Sequence, residues 1–201
     1  MDLDAVELRV LGCLIEKQRT TPDQYPLSLN GLRLAANQST NRDPVVDYDE
    51  STIRSALERL GNRGWTRLAS GPGSRAVKFR HLLDEALRLN EPQLALLAVL
   101  MLRGPQTAAE LRARTERLHA FASAGEVEEA LNELGERELV QRLAKRPGER
   151  EERWLQLLGS ADGAAAAAPA TEAAPEPAAG RIAELERRLA DVEARLDAAG
   201  L

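Results

Sequence analysis

Two histidines, one cysteine and six aromatics are where chemistry would have to start in this 201-residue chain. His81 and His119 lie far apart, and neither has a cysteine or carboxylate at a spacing that completes a metal site. There is no glycine-rich phosphate loop and no nucleophile elbow. Cys13 falls near the inward face of an apolar helical stretch, where it reads as a small buried residue rather than a reactive thiol. A single cysteine also excludes an intrachain disulfide and a cysteine-based structural zinc site. The sequence therefore predicts no enzyme, no catalytic residue, no metal and no cofactor.

What remains is arginine, 24 of them against 3 lysines. A guanidinium grips a phosphate or a base edge through two bonds at once, so arginine-rich surfaces suit nucleic acid. The chain is also alanine-rich, and a GC-rich genome produces the same bias. The net charge is −5, divided as +2 over residues 1–82, −3 over 83–158 and −4 over 159–201. No segment has the strong basic excess typical of a nucleic-acid binder. Six aromatics are too few for a base-stacking platform. No apolar run approaches the ~20 residues that span a bilayer, and no signal peptide opens the chain, so a cytoplasmic protein off the membrane is expected.

The arginines need elements to position them, and those elements come in two copies. Ala56-Leu57-Glu58-Arg59-Leu60-Gly61-Asn62-Arg63 matches Ala130-Leu131-Asn132-Glu133-Leu134-Gly135-Glu136-Arg137, and Arg67-Leu68-Ala69 matches Arg142-Leu143-Ala144. In the first copy, helical spacing of Val6, Val10, Leu11 and Leu14 predicts a helix over about Asp4–Lys17. A second helix is expected over about Leu27–Asn37, and a third, capped by Asp49, over about Glu50–Arg63. Gly64 ends it, and Trp65–Leu68 with Ala76–Phe79 flank a Gly-Pro-Gly-Ser turn as a hairpin. The second copy predicts helices over about Glu91–Leu102, from a Thr107–Glu110 capping box, and over about Gly125–Arg137. Its hairpin pairs Leu139–Leu143 with Arg153–Leu157.

The expected fold is thus mainly α with small β-hairpins. Two tandem winged-helix domains occupy residues 1–82 and 83–158, followed by an Ala/Pro-rich linker over 159–179 and a short heptad helix over 180–201. In the heptad, Ile182, Leu185, Leu189, Val192 and Leu196 form an a/d seam. Glu186 and Glu193 fall at e and Arg188 and Arg195 at g; in a parallel pair Arg188 of one chain faces Glu193 of the other, so parallel self-association is expected. The competing reading is a solvated helix, because fewer than three heptads are marginal alone.

In a winged helix the third helix enters a major groove and the wing touches phosphates. The candidate nucleic-acid contacts in the first copy are Ser51, Arg54, Ser55, Arg59 and Asn62 on the third helix, with Arg75, Lys78 and Arg80 on the wing. Asn41 and Arg42 join them from the amide-rich loop Asn37-Gln38-Ser39-Thr40-Asn41-Arg42-Asp43-Pro44, which composition alone equally explains as turns and caps. The second copy's third helix carries Glu126, Glu128, Glu129, Glu133 and Glu136, which would repel a phosphate wall. There the candidates are Arg112, Arg114 and Arg117, which could instead pair with Glu110 and Glu116. An ordinary solvated face, with Arg54 paired to Glu58, is the plain alternative for the first copy.

Leu11-Gly12-Cys13-Leu14-Ile15-Glu16-Lys17, Thr20-Thr21-Pro22-Asp23-Gln24-Tyr25-Pro26-Leu27-Ser28-Leu29-Asn30 and Leu100-Met101-Leu102-Arg103-Gly104-Pro105-Gln106-Thr107 are long, specific strings. With Asn37-Gln38, Asn41-Arg42-Asp43-Pro44 and Glu110-Leu111-Arg112-Ala113-Arg114-Thr115, they resemble the YceH family of uncharacterised bacterial proteins over about residues 3–158. Ala109 stands where that family typically has glycine, a change that mildly favours helix. The resemblance implies two winged-helix domains and a cytoplasmic protein, and brings no activity, cofactor or site. Two functions compete. One is a dimeric, DNA-binding, transcription-regulator-like protein whose partner is double-stranded DNA. The other is an acidic module that binds a protein partner, as chromosome-segregation accessory subunits do.

Overall fold

A computed structural model describes residues 2–69, 76–145, 148 and 151–159. The expected heptad seam, Ile182, Leu185, Leu189, Val192 and Leu196, lies outside these residues, as does Arg75. Within them the fold is mixed α and β, with seven α-helices, a three-stranded sheet and a two-stranded sheet, both antiparallel. No described helix is long and apolar enough to cross a membrane.

Helix α1 spans Ala5–Thr20. It starts at a reciprocal cap: Asp4 Oδ1 accepts from the Glu7 N–H at 2.7 Å, and Glu7 Oε2 accepts from the Asp4 N–H at 2.9 Å. After a 3-10 turn at Pro22–Gln24 comes β1, Leu27–Ser28, and then α2, Leu29–Ala36, whose first turn is capped by Ser28. The second helix is therefore shorter than its sequence suggests. Leu27 and Ser28 leave it to pair with Phe79 and Lys78 in the sheet. Helix α3 runs Glu50–Asn62 from its Asp49 cap. Strands β2, Thr66–Leu68, and β3, Lys78–His81, complete the sheet in the order β1-β3-β2.

A short helix absent from the sequence reading, α4 at Leu83–Leu87, leads into α5, Glu91–Arg103. Helices α6, Ala108–Thr115, and α7, Ala124–Glu136, then strands β4, Val140–Leu143, and β5, Arg153–Gln156, repeat the order of the first half. The repeat extends to single hydrogen bonds. Gly64 and Glu138 both take left-handed φ, +75° and +55°. The Trp65 N–H donates to Leu60 O, and the Leu139 N–H donates to Leu134 O, each at 2.9 Å. Where β1 meets β3 in the first half, Gln106 makes an antiparallel bridge to Trp154 in the second.

The two copies share a core. Helix α1 is buried continuously from Glu7 to Ile15, and α5 from Gln93 to Leu102. A helix apolar on all sides, as α5 is, must be covered on all sides, and α1, whose buried stretch also holds Glu7 and Arg9, packs against it. Gly12 marks the crossing: a Cβ there would lie 2.9 Å from Leu102 Cγ and 3.3 Å from Met101 Cβ. Leu32, Ile53, Leu57 and Leu60 on one side and Leu111, Val127, Leu131 and Leu134 on the other belong to one connected apolar cluster. The first and last described segments meet where the Leu3 N–H donates to Leu158 O at 3.0 Å.

Candidate nucleic-acid interface

Helix α3 turns Ile53, Ala56, Leu57 and Leu60 into the core, which leaves Ser51, Arg54, Ser55, Glu58, Arg59 and Asn62 exposed. Its first turn is fixed by Asp49, whose Oδ1 accepts the Thr52 N–H at 2.7 Å and the Ser51 hydroxyl at 2.9 Å. Those donors, the Thr52 N–H first, hold the Asp49 carboxyl below the usual carboxylate range. Ser51 is thereby part of the cap. Arg59 leans toward α1, with Nη2 at 2.5 Å from Asp4 and Nε at 3.4 Å from Glu7. It braces α3 against the start of α1. Arg54 makes no ion pair among the described residues, and no pair with Glu58 forms.

Arg54 and Glu58 instead line a hollow of about 260 Å³ between α3 and the hairpin. Arg67, Leu68 and Phe79 form its other side. Leu68 is 63% exposed, an unusual state for a leucine in a strand. Arg67 and Arg80 sit directly opposite each other across β2 and β3. Like charges in that register are unfavourable. Glu85 answers one of them, its Oε1 lying 2.6 Å from Arg80 Nη2. Lys78, opposite Ser28, is half-buried. Arg67 was not among the expected contacts, although its alternation with Leu68 in the hairpin was the available signal.

Arg42 requires a correction. Its side chain is 0% exposed, so it offers nothing to a nucleic acid. All five guanidinium N–H groups are used: Nε donates to Ala35 O at 3.0 Å, Nη1 to Glu16 and Asn41 O, and Nη2 to Glu16 and Gln38. Arg9 works beside it, donating to Ala36 O at 3.1 Å and Pro44 O at 2.6 Å. Asn37 closes the same loop by exchanging two 2.9 Å bonds with the Tyr48 backbone. The amide-rich loop is thus a clamp, and the Asp43 N–H ties it to Leu102 O of α5 at 2.9 Å. Asn41, exposed and left-handed at φ 59°, accepts from Arg103.

In the second half the acidic helix keeps its own partners. Glu128 and Glu152 both pair with Arg142 at 3.2 Å, and Arg142 lies over the Trp154 ring at 4.7 Å. Glu133 accepts from Gln93 at 2.8 Å. Arg112 reaches Ala122 O at 3.3 Å, and Arg114 stands 3.6 Å from Glu110. Asn41, Arg114 and Arg117 converge away from α3, on a cleft of about 400 Å³.

The residues considered first for catalysis are packed away. Cys13 is buried, and burial pushes its thiol up to about 11. His81 is 1% exposed, with Nε2 at 2.6 Å from Gln18 Oε1 and Nδ1 at 3.5 Å from Asp84. Asp84, three residues on, is its carboxylate neighbour. Among the described residues no cluster of three His, Cys, Asp or Glu could hold a metal ion.

The family model for a protein of unknown function, DUF480, matches residues 3–149. The chain belongs to the DUF480 family. A UPF0502 protein of Geotalea uraniireducens is 47% identical over 200 residues, covering 98% of this chain and 90% of the relative. Those of Shewanella loihica and Stenotrophomonas maltophilia strain R551-3 are 42% and 46% identical, each with 96% of this chain and over nine-tenths of the relative covered. The DUF480 match bears out the resemblance to the YceH family and spans the α3 corner and the cleft alike.

Proposed function

We propose that this chain is a non-catalytic, cytoplasmic, double-stranded DNA-binding protein that docks through α3 and the β2–β3 hairpin. The three-helix-and-hairpin order and the β1-β3-β2 sheet support reading the first half as a winged helix, with α3 in the major groove and the hairpin as wing. The second half, built in the same order, is read as its twin. The observation that carries the proposal is the corner where Arg54 and Arg67 flank one exposed hollow, shared with Glu58, while Arg80, paired to Glu85, stands opposite Arg67. Cations held side by side on a surface gain most from a polyanion. The second copy's helix, with carboxylates at the same face, is left facing away from the phosphates. The tail heptad, outside the described residues, is read as the element that would pair two chains.

The test is fluorescence anisotropy of a random-sequence duplex at about 50 and about 200 mM salt. With six or more phosphate contacts, affinity falls by roughly 10³-fold between them. Arg54→Ala and Arg67→Ala each weaken binding and flatten the salt slope by about one. Weak binding that is flat in salt would overturn the reading in favour of a protein partner on the acidic α7 face.

A further inference from the structure

DNA docking through α3 leaves the cleft of about 400 Å³ unused. It is assembled from the end of α1, the loop after α2, the end of α5 and the α6 region, so both halves contribute to it. Lys17, Arg103, Arg114 and Arg117 line it against only two carboxylates, Glu16 and Glu116. Glu16 is shared: Arg42 holds both its oxygens, at 2.6 and 3.0 Å, and Lys17 Nζ lies 3.6 Å from one of them. Glu110, 3.6 Å from Arg114, has its other oxygen 2.9 Å from Arg153. Arg103 reaches only the Asn41 amide oxygen and makes no ion pair among the described residues. Burial, then the neighbouring Arg114 and Arg42 cations, hold its pKa below the ordinary arginine value. Val99, Leu102 and Leu118 supply an apolar wall.

We propose that this cleft is a binding site for a small phosphate-bearing molecule of about mononucleotide size. Three guanidiniums and an ammonium converge there with more positive charge than the cleft neutralises. A phosphate monoester brings about −1.5 to −2 at pH 7 and oxygens that a guanidinium fork matches. The volume falls within the range of small-molecule sites, and the apolar wall accepts a base or similar body. Occupancy joins both halves, so the ligand binds the folded chain alone and raises its melting temperature. A duplex backbone phosphate presents the same chemistry, and the experiment separates the two sources.

The full-length chain is titrated with AMP, pyrophosphate, adenosine and sodium chloride at matched ionic strength, reading melting temperature and heat of binding. AMP or pyrophosphate produces a saturable rise, while adenosine and chloride do not. Arg117→Gln, an exposed substitution, leaves the unliganded melting temperature unchanged and weakens that binding by about tenfold or more. Arg103→Gln weakens the binding likewise from the inner wall. No saturable response up to ~10 mM, an equal response to chloride, or an unaltered response in both variants overturns the proposal. So does a loss of duplex affinity in Arg117→Gln without any AMP binding, which would give the cleft to DNA. Arg54→Ala leaves AMP binding intact, so failure of the DNA reading and failure of this one are told apart.

Discussion

Glu138 holds a left-handed φ of 55° at the position where the first copy has Gly64. A side chain there costs roughly 1 kcal/mol that glycine avoids. Glu138→Gly is therefore expected to raise the melting temperature by about 2–4 °C, measured by circular dichroism. His81 works through pH. Burial pushes its pKa down to about 4; Asp84 opposes the shift, while Arg80 and Arg19 add to it. The folded chain thus keeps the ring neutral below the unfolded value near 6.5. Its stability is full above that value and is lost as pH falls from about 6.5 toward 4, by roughly 3 kcal/mol. Urea midpoints across that range fall more steeply for the parent chain than for His81→Gln; parallel slopes would rule the histidine out. Cys13 was legible from sequence because one helical face placed it inward. Arg42 was not, because composition places an arginine in a polar loop on the surface, and only the fold shows five acceptors closing around it.

The helices were legible where a cap coincided with an apolar period, as at Asp49 and α3 or at Thr107 and α6. They were misjudged where a distant partner decides. Spacing gave α1 one inward face, yet it is buried from Glu7 to Ile15 because α5 lies on its other side. Strand β1 is two residues long, and its partner Phe79 lies far along the chain, so no local pattern announces it. The α1–α5 crossing is tight enough to test. Gly12→Val places atoms inside the contact with Leu102 and Met101. Overpacking of that kind costs about 1–3 kcal/mol, read as a lower urea midpoint. Gly12→Val combined with Leu102→Ala recovers part of the loss, and an unchanged midpoint in the single variant would show that the helices slide apart freely.

Across the whole molecule the repeat is visible in sequence, but the way the copies meet is not. Each copy supplies one helix to a shared apolar interior, so neither buries its surface alone. Heating is expected to melt residues 2–159 in a single transition. A fragment of residues 1–82 exposes the α5-facing side of α1 and is expected to show no cooperative melt by circular dichroism. Two separate transitions in the full chain would contradict the shared interior. The α3 corner and the cleft were legible only in part. The arginines that build them stood out by type, but Arg67 and Arg103 gained their roles from neighbours that the fold brings from elsewhere.

The clamp formed by Arg9, Arg42, Glu16 and Asn37 has an implication for how such a chain can drift over generations. A connection between helices is ordinarily free to lengthen, shorten and change its letters. A change at any one member strands a buried charge or an unmatched carbonyl, so this connection is expected to tolerate substitution as poorly as the interior does while lying on the path into α3.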